Sequence, residues 1–220
     1  GCMTHMEIDG LQALIVIGGD GTMSAAKPFT ERGINCIGVP KTIDNDLWGS
    51  DITFGFATAV QVATEALDRV HTTAASHHRV MAVEVMGRNA GWLALHAGVA
   101  SGSDIILLPE IEFDLDKVAR VCEQRSQHGK RFTIICCSEG AKPKGGKQHI
   151  ERIDPTSPDP IRFGGIGKWV ADSIEDMPEI ESRYVVLGHV QRGGTPAAGD
   201  RVLAQHVGPQ ADEPLRSWAR

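Results

Sequence analysis

Hydrophobic and polar positions along this chain alternate between two periods. Short apolar, β-branched runs stop at glycine, proline or an acid, and most give way to stretches with apolar residues every three or four positions. The strand-like runs lie within "LQALIVIGGDGT" (Leu11–Thr22), "INCIGVP", "RVMAVEVMGR", "DIILLPE", "RFTIICCSEGA" and "RYVVLGHVQRGG". Between them come predicted helices. "MSAAKPFTERG" is limited by Pro28 and Gly33, and "FGFATAVQVATEALDRVHTTAASHH" carries Ala59, Val62, Ala66, Leu67 and Val70 at helical spacing. "AGWLALHAGVASG" closes at Gly102, a further helix runs from Asp114 to about His128, and "IGKWVADSIEDM" is the last. "KPKGGKQHIERIDPTSPDPIRFGG" mixes Pro, Gly and charge without period, which predicts a mobile surface loop. Strands alternating with helices imply crossover connections and an α/β fold with a largely parallel sheet.

The polar residues that interrupt this pattern share one place. Asp20, Asp44, Arg88, Glu139 and the pair His189 and Arg192 all fall at the carboxyl ends of predicted strands. Open parallel sheets bind ligands in the crevice outside those ends, so five strand ends with charged groups point to one cleft. Arg79 and Arg183 instead head their strands, at the opposite end.

Composition narrows the class. The 220 residues are 41% hydrophobic and 23% charged, as in ordinary globular chains, and length alone allows one or two domains. A net charge of −6, 5% aromatics and no Lys/Arg block argue against nucleic acid as the main partner. No apolar run is long enough to span a bilayer. Five cysteines without a CxxC pair suggest neither a disulfide framework nor a zinc site, and a cytoplasmic location is expected. The four tryptophans read as packing or tail residues.

Each motif has a plain reading beside a chemical one. "GGDGT" (Gly18–Thr22) follows a strand and opens a helix, a place where backbone N–H groups favour phosphate. Asp20 would repel that phosphate unless a divalent cation lay between, so Asp20 is a candidate Mg²⁺ partner. The alternative is a tight glycine turn capped by Asp20. "PKTIDND" (Pro40–Asp46) sets Lys41, Thr42, Asp44 and Asp46 where a strand ends. Phosphoryl transfer to a hydroxyl needs a carboxylate to accept its proton, with donors and cations around the moving group. An Asx-turn would explain one of the aspartates but not the set. Arg88, Arg192 and His189 are candidate donors to a phosphorylated ligand, and Glu139 a candidate acceptor from sugar hydroxyls or a loop cap.

With these residues placed, the chain resembles the phosphofructokinase family from about Leu14 to Ala204. The shared stretches are "GGDGT", "PKTIDND", "TFGFATAV", "VEVMGRNAGW", "SEGA" and "LGHVQRGGTPAAGDRVLA". The resemblance implies phosphoryl transfer to the 1-hydroxyl of fructose 6-phosphate, with Asp44 as base, Lys41 offsetting charge, and Thr42, Ile43 and Asp46 beside it. Asp20 would accompany Mg²⁺, and Gly19, Gly21 and Thr22 would lie near the donor phosphates. Met86, Gly87, Arg88 and Glu139 would line the sugar, while His189, Val190, Gln191 and Arg192 hold its 6-phosphate end. Arg79 and Arg183 match arginines that reach this phosphate from a neighbouring subunit, which implies a homo-oligomer, dimer or tetramer.

The family fold is two Rossmann-like α/β domains. Residues 1–56 and 196–220 would belong to the first, incomplete here, and 57–195 to the second. No counterpart of the family's opening strand stands before "GGDGT", and "PQADEPLRSWAR" reads as an unrelated tail, so an internal fragment is expected. Gly21 favours ATP as donor; pyrophosphate, suggested by Lys41, is the alternative. A non-catalytic relative that binds sugar phosphate or a partner subunit is the rival from another class. A lipid or NAD kinase fits less well, because "GGDGT" alone does not explain "TIDND" or "GHVQRGG".

Overall fold

The computed structural model describes residues 4–6, 9–156, 160–176 and 180–218. The main sheet has four parallel strands in the order β5-β6-β4-β9. These are β4 (Val80–Val85), β5 (Ile105–Leu107), β6 (Thr133–Ser138) and β9 (Ser182–Val186). Every residue of β4 and β6 is buried, as expected of central strands covered on both faces. Alternation along them divides two cores. Val80, Ala82, Ile135 and Cys137 face Ile166, Val170 and Ile174 of α5 (Ile166–Glu175) and Val118 of α4 (Leu115–Gln127). Met81, Val83, Ile134 and Cys136 face Ala63 and Leu67 of α2 (Phe56–His77) and Ala94 and Ala97 of α3 (Trp92–Ala100). The cysteines of β6 thus serve as small core residues.

A second parallel sheet is smaller, in the order β1-β2-β3: β1 (Ala13–Gly18), β2 (Asn35–Thr42) and β3 (Phe54–Gly55). Here burial is thin. β1 is an edge strand with Ile15 and Ile17 exposed, and α1 (Asp20–Thr30) buries none of its residues.

Four expectations change. Pro28 does not end α1, which runs two residues further and is followed by Gly33 at φ 86°. The predicted mobile loop holds an antiparallel hairpin, β7 (Ile150–Ile153) and β8 (Ile161–Phe163). The expected tail is helical, since α6 spans Ala198–Trp218 despite Pro209 and Pro214, packs against β2, β3 and α2, and buries Ala211. Trp48 is fully exposed rather than packed, and Trp92 is about half exposed. Trp169 does pack, against the core beside Phe113.

Candidate active site

The loops after β2, β4, β6 and β9 come together: Arg88 and Arg192 act on the Asp44 carboxyl, Arg88 N bonds Glu139, and Met86 N bonds Gln191. The loop after β2 is held by a small lock. The Thr42 hydroxyl accepts from the Asp44 amide at 3.2 Å, and Asn45 takes the left-handed backbone at φ 53°, which asparagine tolerates. Asn45 Oδ1 accepts from Thr53 N at 2.8 Å, while the buried Thr53 hydroxyl donates to Thr42 O at 2.8 Å. Asn45 and Thr53 therefore carry the turn. The Asp44 carboxylate is buried, and its Oδ1 has no hydrogen-bond partner among the described residues.

That orphaned oxygen is what a simple turn does not explain. Burial pushes the Asp44 carboxyl above its ordinary range, the Asp46 charge adds to the rise, and Arg192 and Arg88 act against it. Asp46 comes from the same loop, Arg88 from the loop after β4 and Arg192 from the turn after β9.

The β4 loop is tightly built. Gly87 sits at φ 135°, and a Cβ there would approach Ala90 O to 2.6 Å, so only glycine fits this bend. Arg88 follows at φ 54°, its amide donating to Glu139 Oε1 at 2.9 Å. A Cβ on Gly140 would lie 1.8 Å from Arg88 O, so the β4 and β6 loops touch backbone to backbone. The Glu139 carboxyl is pushed up to about 7, chiefly by burial, with the Asp44 and Glu84 charges adding and the Arg88 amide opposing.

After β9 the chain does not continue as a strand to Gly194. It coils into a 3₁₀ turn, Gly188–Arg192, whose side chains His189, Val190 and Arg192 are exposed while Gln191 is buried. The Gln191 amide is occupied within the protein: Oε1 accepts from Met86 N at 3.3 Å and Nε2 donates to Gly188 O at 3.1 Å. Ile43 is likewise buried, packed with Phe56, Ala59 and Leu93. Neither side chain acts as a free polar contact.

Beside this cluster lies a cleft of about 300 Å³, lined by Lys41, Ile43, Gln191, Arg192, Asp200 and Arg201 among others. Its wall depends on a pair that the motifs do not reveal. Asp200 of α6 is buried, its Oδ2 accepting from Thr58 N at 2.8 Å and from the Thr58 hydroxyl, whose oxygen accepts from Ala197 N at 3.0 Å. A carboxylate from one helix thus caps the first turn of another.

"GGDGT" joins from the other side. Gly19 is the N-cap of α1, with Asp20 in its first turn, so the residue expected as a possible cap is one place too late and makes no cap bond. A Cβ on Gly19 would come within 3.3 Å of Thr42 Cβ, which puts this turn against the Asp44 loop. Gly21 has open space around its Cβ position.

Arg79 and Arg183 do not join the cluster. They stand at the amino ends of β4 and β9, both paired to Glu181, at 2.7 and 2.9 Å. A strand length, roughly 17–20 Å, separates them from the Asp44 end.

This arrangement defines an open parallel α/β protein with a buried carboxylate, flanked by arginines, at its strand ends. The phosphofructokinase family profile matches residues 1–214. The ATP-dependent 6-phosphofructokinase 2 of Clostridium perfringens is 53% identical over 97% of this chain and 58% of its own length. The pyrophosphate–fructose 6-phosphate 1-phosphotransferase of Amycolatopsis mediterranei is 55% identical over 92% of this chain and 59% of its own length. Among solved structures, phosphofructokinase from Saccharomyces cerevisiae superposes with a TM-score of 0.83 at 31% identity, covering 96% of this chain and 30% of that one. The chain belongs to the phosphofructokinase family and spans under two thirds of the length of these relatives. The match reaches beyond the expected Leu14–Ala204 at both ends and takes in residues 209–214, the first half of the stretch expected to be an unrelated tail. No helix among the described residues is long and apolar enough to cross a membrane.

Proposed function

We propose that this chain carries the site of a 6-phosphofructokinase, which transfers the γ-phosphoryl group of ATP to the 1-hydroxyl of fructose 6-phosphate and yields fructose 1,6-bisphosphate. The observation that carries the reading is the buried Asp44 carboxylate, one oxygen unpartnered among the described residues, held between Asp46 and the cations of Arg88 and Arg192. Burial raises its affinity for a proton, as a base for a sugar hydroxyl requires. Asp44 takes the hydroxyl proton as that oxygen attacks the γ-phosphorus, and the bond from phosphorus to the departing ADP oxygen breaks. Arg88 and Arg192 offset the charge nearby, and Lys41 faces the cleft with a third cation. The Thr42 oxygen accepts from the Asp44 amide, and its hydroxyl also bonds the Asp44 carboxyl and acts against the rise, so Thr42 orients the base beside the phosphoryl group. Met86, Gly87, Arg88 and Glu139 line the hexose, and a Glu139 carboxyl near 7 donates as well as accepts around neutrality. His189 and Arg192 face the 6-phosphate.

The residues fit Mg²⁺. Asp20 is exposed at the head of α1, and its turn lies against Thr42 in the Asp44 loop. Among the described residues no three His, Cys, Asp or Glu side chains form a cage, but Mg²⁺ typically needs only one or two carboxylates plus waters and phosphate oxygens. Asp20 would hold it, supplying positive charge between the donor phosphates, with Gly19, Gly21 and Thr22 alongside at the helix terminus.

In this reading, residues 1–56 and 196–220 form the donor-side domain and 57–195 the sugar-side domain. Arg79 and Arg183, held by Glu181 at the far strand ends, serve the 6-phosphate of an adjoining copy in a homodimer or tetramer. A pyrophosphate donor is the second reading, favoured by Lys41 in the cleft and by the Amycolatopsis relative's name.

The test is phosphoryl transfer by the complete chain carrying this segment, with fructose 6-phosphate, Mg²⁺ and either ATP or pyrophosphate. Phosphorus NMR identifies the product. A new phosphate on C1, formed faster from ATP, is expected. No transfer to the sugar overturns the function, and faster transfer from pyrophosphate overturns the donor.

A further inference from the structure

The ladder between β4 and β9 ends in an unusual way. The strands run parallel with Glu84 opposite Val186, so Val85 falls opposite Leu187. In a parallel ladder the residue opposite i donates to the carbonyl of i−1 and accepts from the amide of i+1. Leu187 makes the first of these bonds, its amide donating to Glu84 O at 3.0 Å. The second would join Met86 N to Leu187 O. Instead Leu187 O accepts from Val190 N at 3.3 Å, within the 3₁₀ turn, and Met86 N donates to the Gln191 side chain.

We infer that Gln191 is a positioning residue whose side-chain amide replaces the missing ladder rung and sets the distance between the Met86–Arg88 loop and the His189–Arg192 turn. Its reach is specific. The amide is 1% exposed and joins residues 105 positions apart in sequence. Its oxygen takes the peptide donor that the turn has abandoned, and its NH₂ ties down Gly188 O at the head of the same turn. Gly188 itself sits at φ 52°, where the chain leaves the sheet. Past Leu187 the turn packs against α2 but has no regular strand pairing to β4, so this amide is the polar link that sets it against the Met86–Arg88 loop. Aspartate or asparagine is too short for both contacts, and a hydrocarbon of the same length makes neither.

The inference rests on the proposed sugar-phosphate site, and its test has one arm that does not. In the complete chain, Gln191→Met keeps volume and removes both bonds, leaving a buried donor and acceptor unmatched. The KM for fructose 6-phosphate should rise about 10–100-fold while the KM for ATP stays within about twofold. Independently of any substrate, hydrogen exchange in a peptide spanning 85–88 should quicken relative to one spanning 80–84. Gln191→Glu keeps the acceptor for Met86 N and, once ionised, loses the donor to Gly188 O. It should show a smaller rise confined to the sugar KM, and it decides the matter if the Met variant does not fold. Unchanged exchange at 85–88, or sugar and nucleotide KM values moving together in both variants, overturns the inference. An inactive wild-type chain with quickened exchange in the variant would instead sink the functional reading and leave the ladder role standing.

Discussion

Replacing Glu139 by glutamine removes a charge without removing a contact, because an amide oxygen still accepts from the Arg88 amide at the 2.9 Å now seen. The wild-type carboxyl is pushed up to about 7 by burial, against an ordinary glutamate value of 4.5. Between those values the folded chain holds a proton that the unfolded chain has released, so the folded state binds more protons and stability falls as pH rises. The loss is complete once pH exceeds the folded value. The shift costs the wild type about 3 kcal/mol at pH 8 and under about 1 kcal/mol at pH 5. Glutamine has no such cost. Glu139→Gln should therefore be more stable than wild type at pH 8, by about 2–3 kcal/mol relative to its difference at pH 5. Urea unfolding of both proteins at the two pH values measures this directly. A stability difference that does not change with pH would refute the claim that burial holds this carboxyl near 7. A variant less stable at pH 8 than at pH 5, relative to wild type, would reverse its sign.

Asp200→Ala uncaps α2 and strips the Thr58 amide and hydroxyl of their acceptor, so thermal or urea unfolding should show a loss of about 1–3 kcal/mol; a loss below about 0.5 kcal/mol would mean that Asp200 does not tie the helices together. Subunits carrying Arg183→Ala should regain activity when mixed with subunits carrying Asp44→Ser, because each mixed interface supplies one intact set; inactivity in verified mixed oligomers contradicts sharing. Gly21→Asp has room for its side chain, so its effect comes from charge in the donor space, and it should depress ATP turnover more than pyrophosphate turnover. Equal losses with both donors would remove Gly21 as the discriminator.

How much of this was legible in the sequence depended on whether a residue's partner was local. β4 and β6 read correctly because central parallel strands are apolar on both faces, and α4 because Asp114 caps it through the amides of Asp116 and Lys117. The turn after β9 was misread as strand, since "VVLGHV" is as apolar as a strand and nothing local shows that Leu187 O turns inward. The β7–β8 hairpin escaped because β7 is exposed on both faces and β8 is only half-buried, so neither strand has a buried period. α6 was hidden by Pro209 and Pro214, which read as breaks, and the one buried residue near them, Ala211, shows no period in the sequence. At the site, Asp44, Arg88 and Arg192 stood out as charges where strands end. Asn45, Thr53, Thr58 and Asp200 did not, because their partners lie 8 to 142 residues away. The sequence motifs mark the charged groups at the strand ends, while the bonds that fix the loops become visible only in three dimensions.

In the proposed reaction Asp44 accepts the proton from the sugar hydroxyl. Single-turnover transfer from ATP to fructose 6-phosphate, compared between the complete wild-type chain and Asp44→Ser at saturating sugar, tests it most directly. The rate of the chemical step should fall by roughly 10²–10⁴-fold while the sugar concentration for half-saturation changes little. A fall of less than about tenfold, or a loss explained by weaker sugar binding alone, would contradict it.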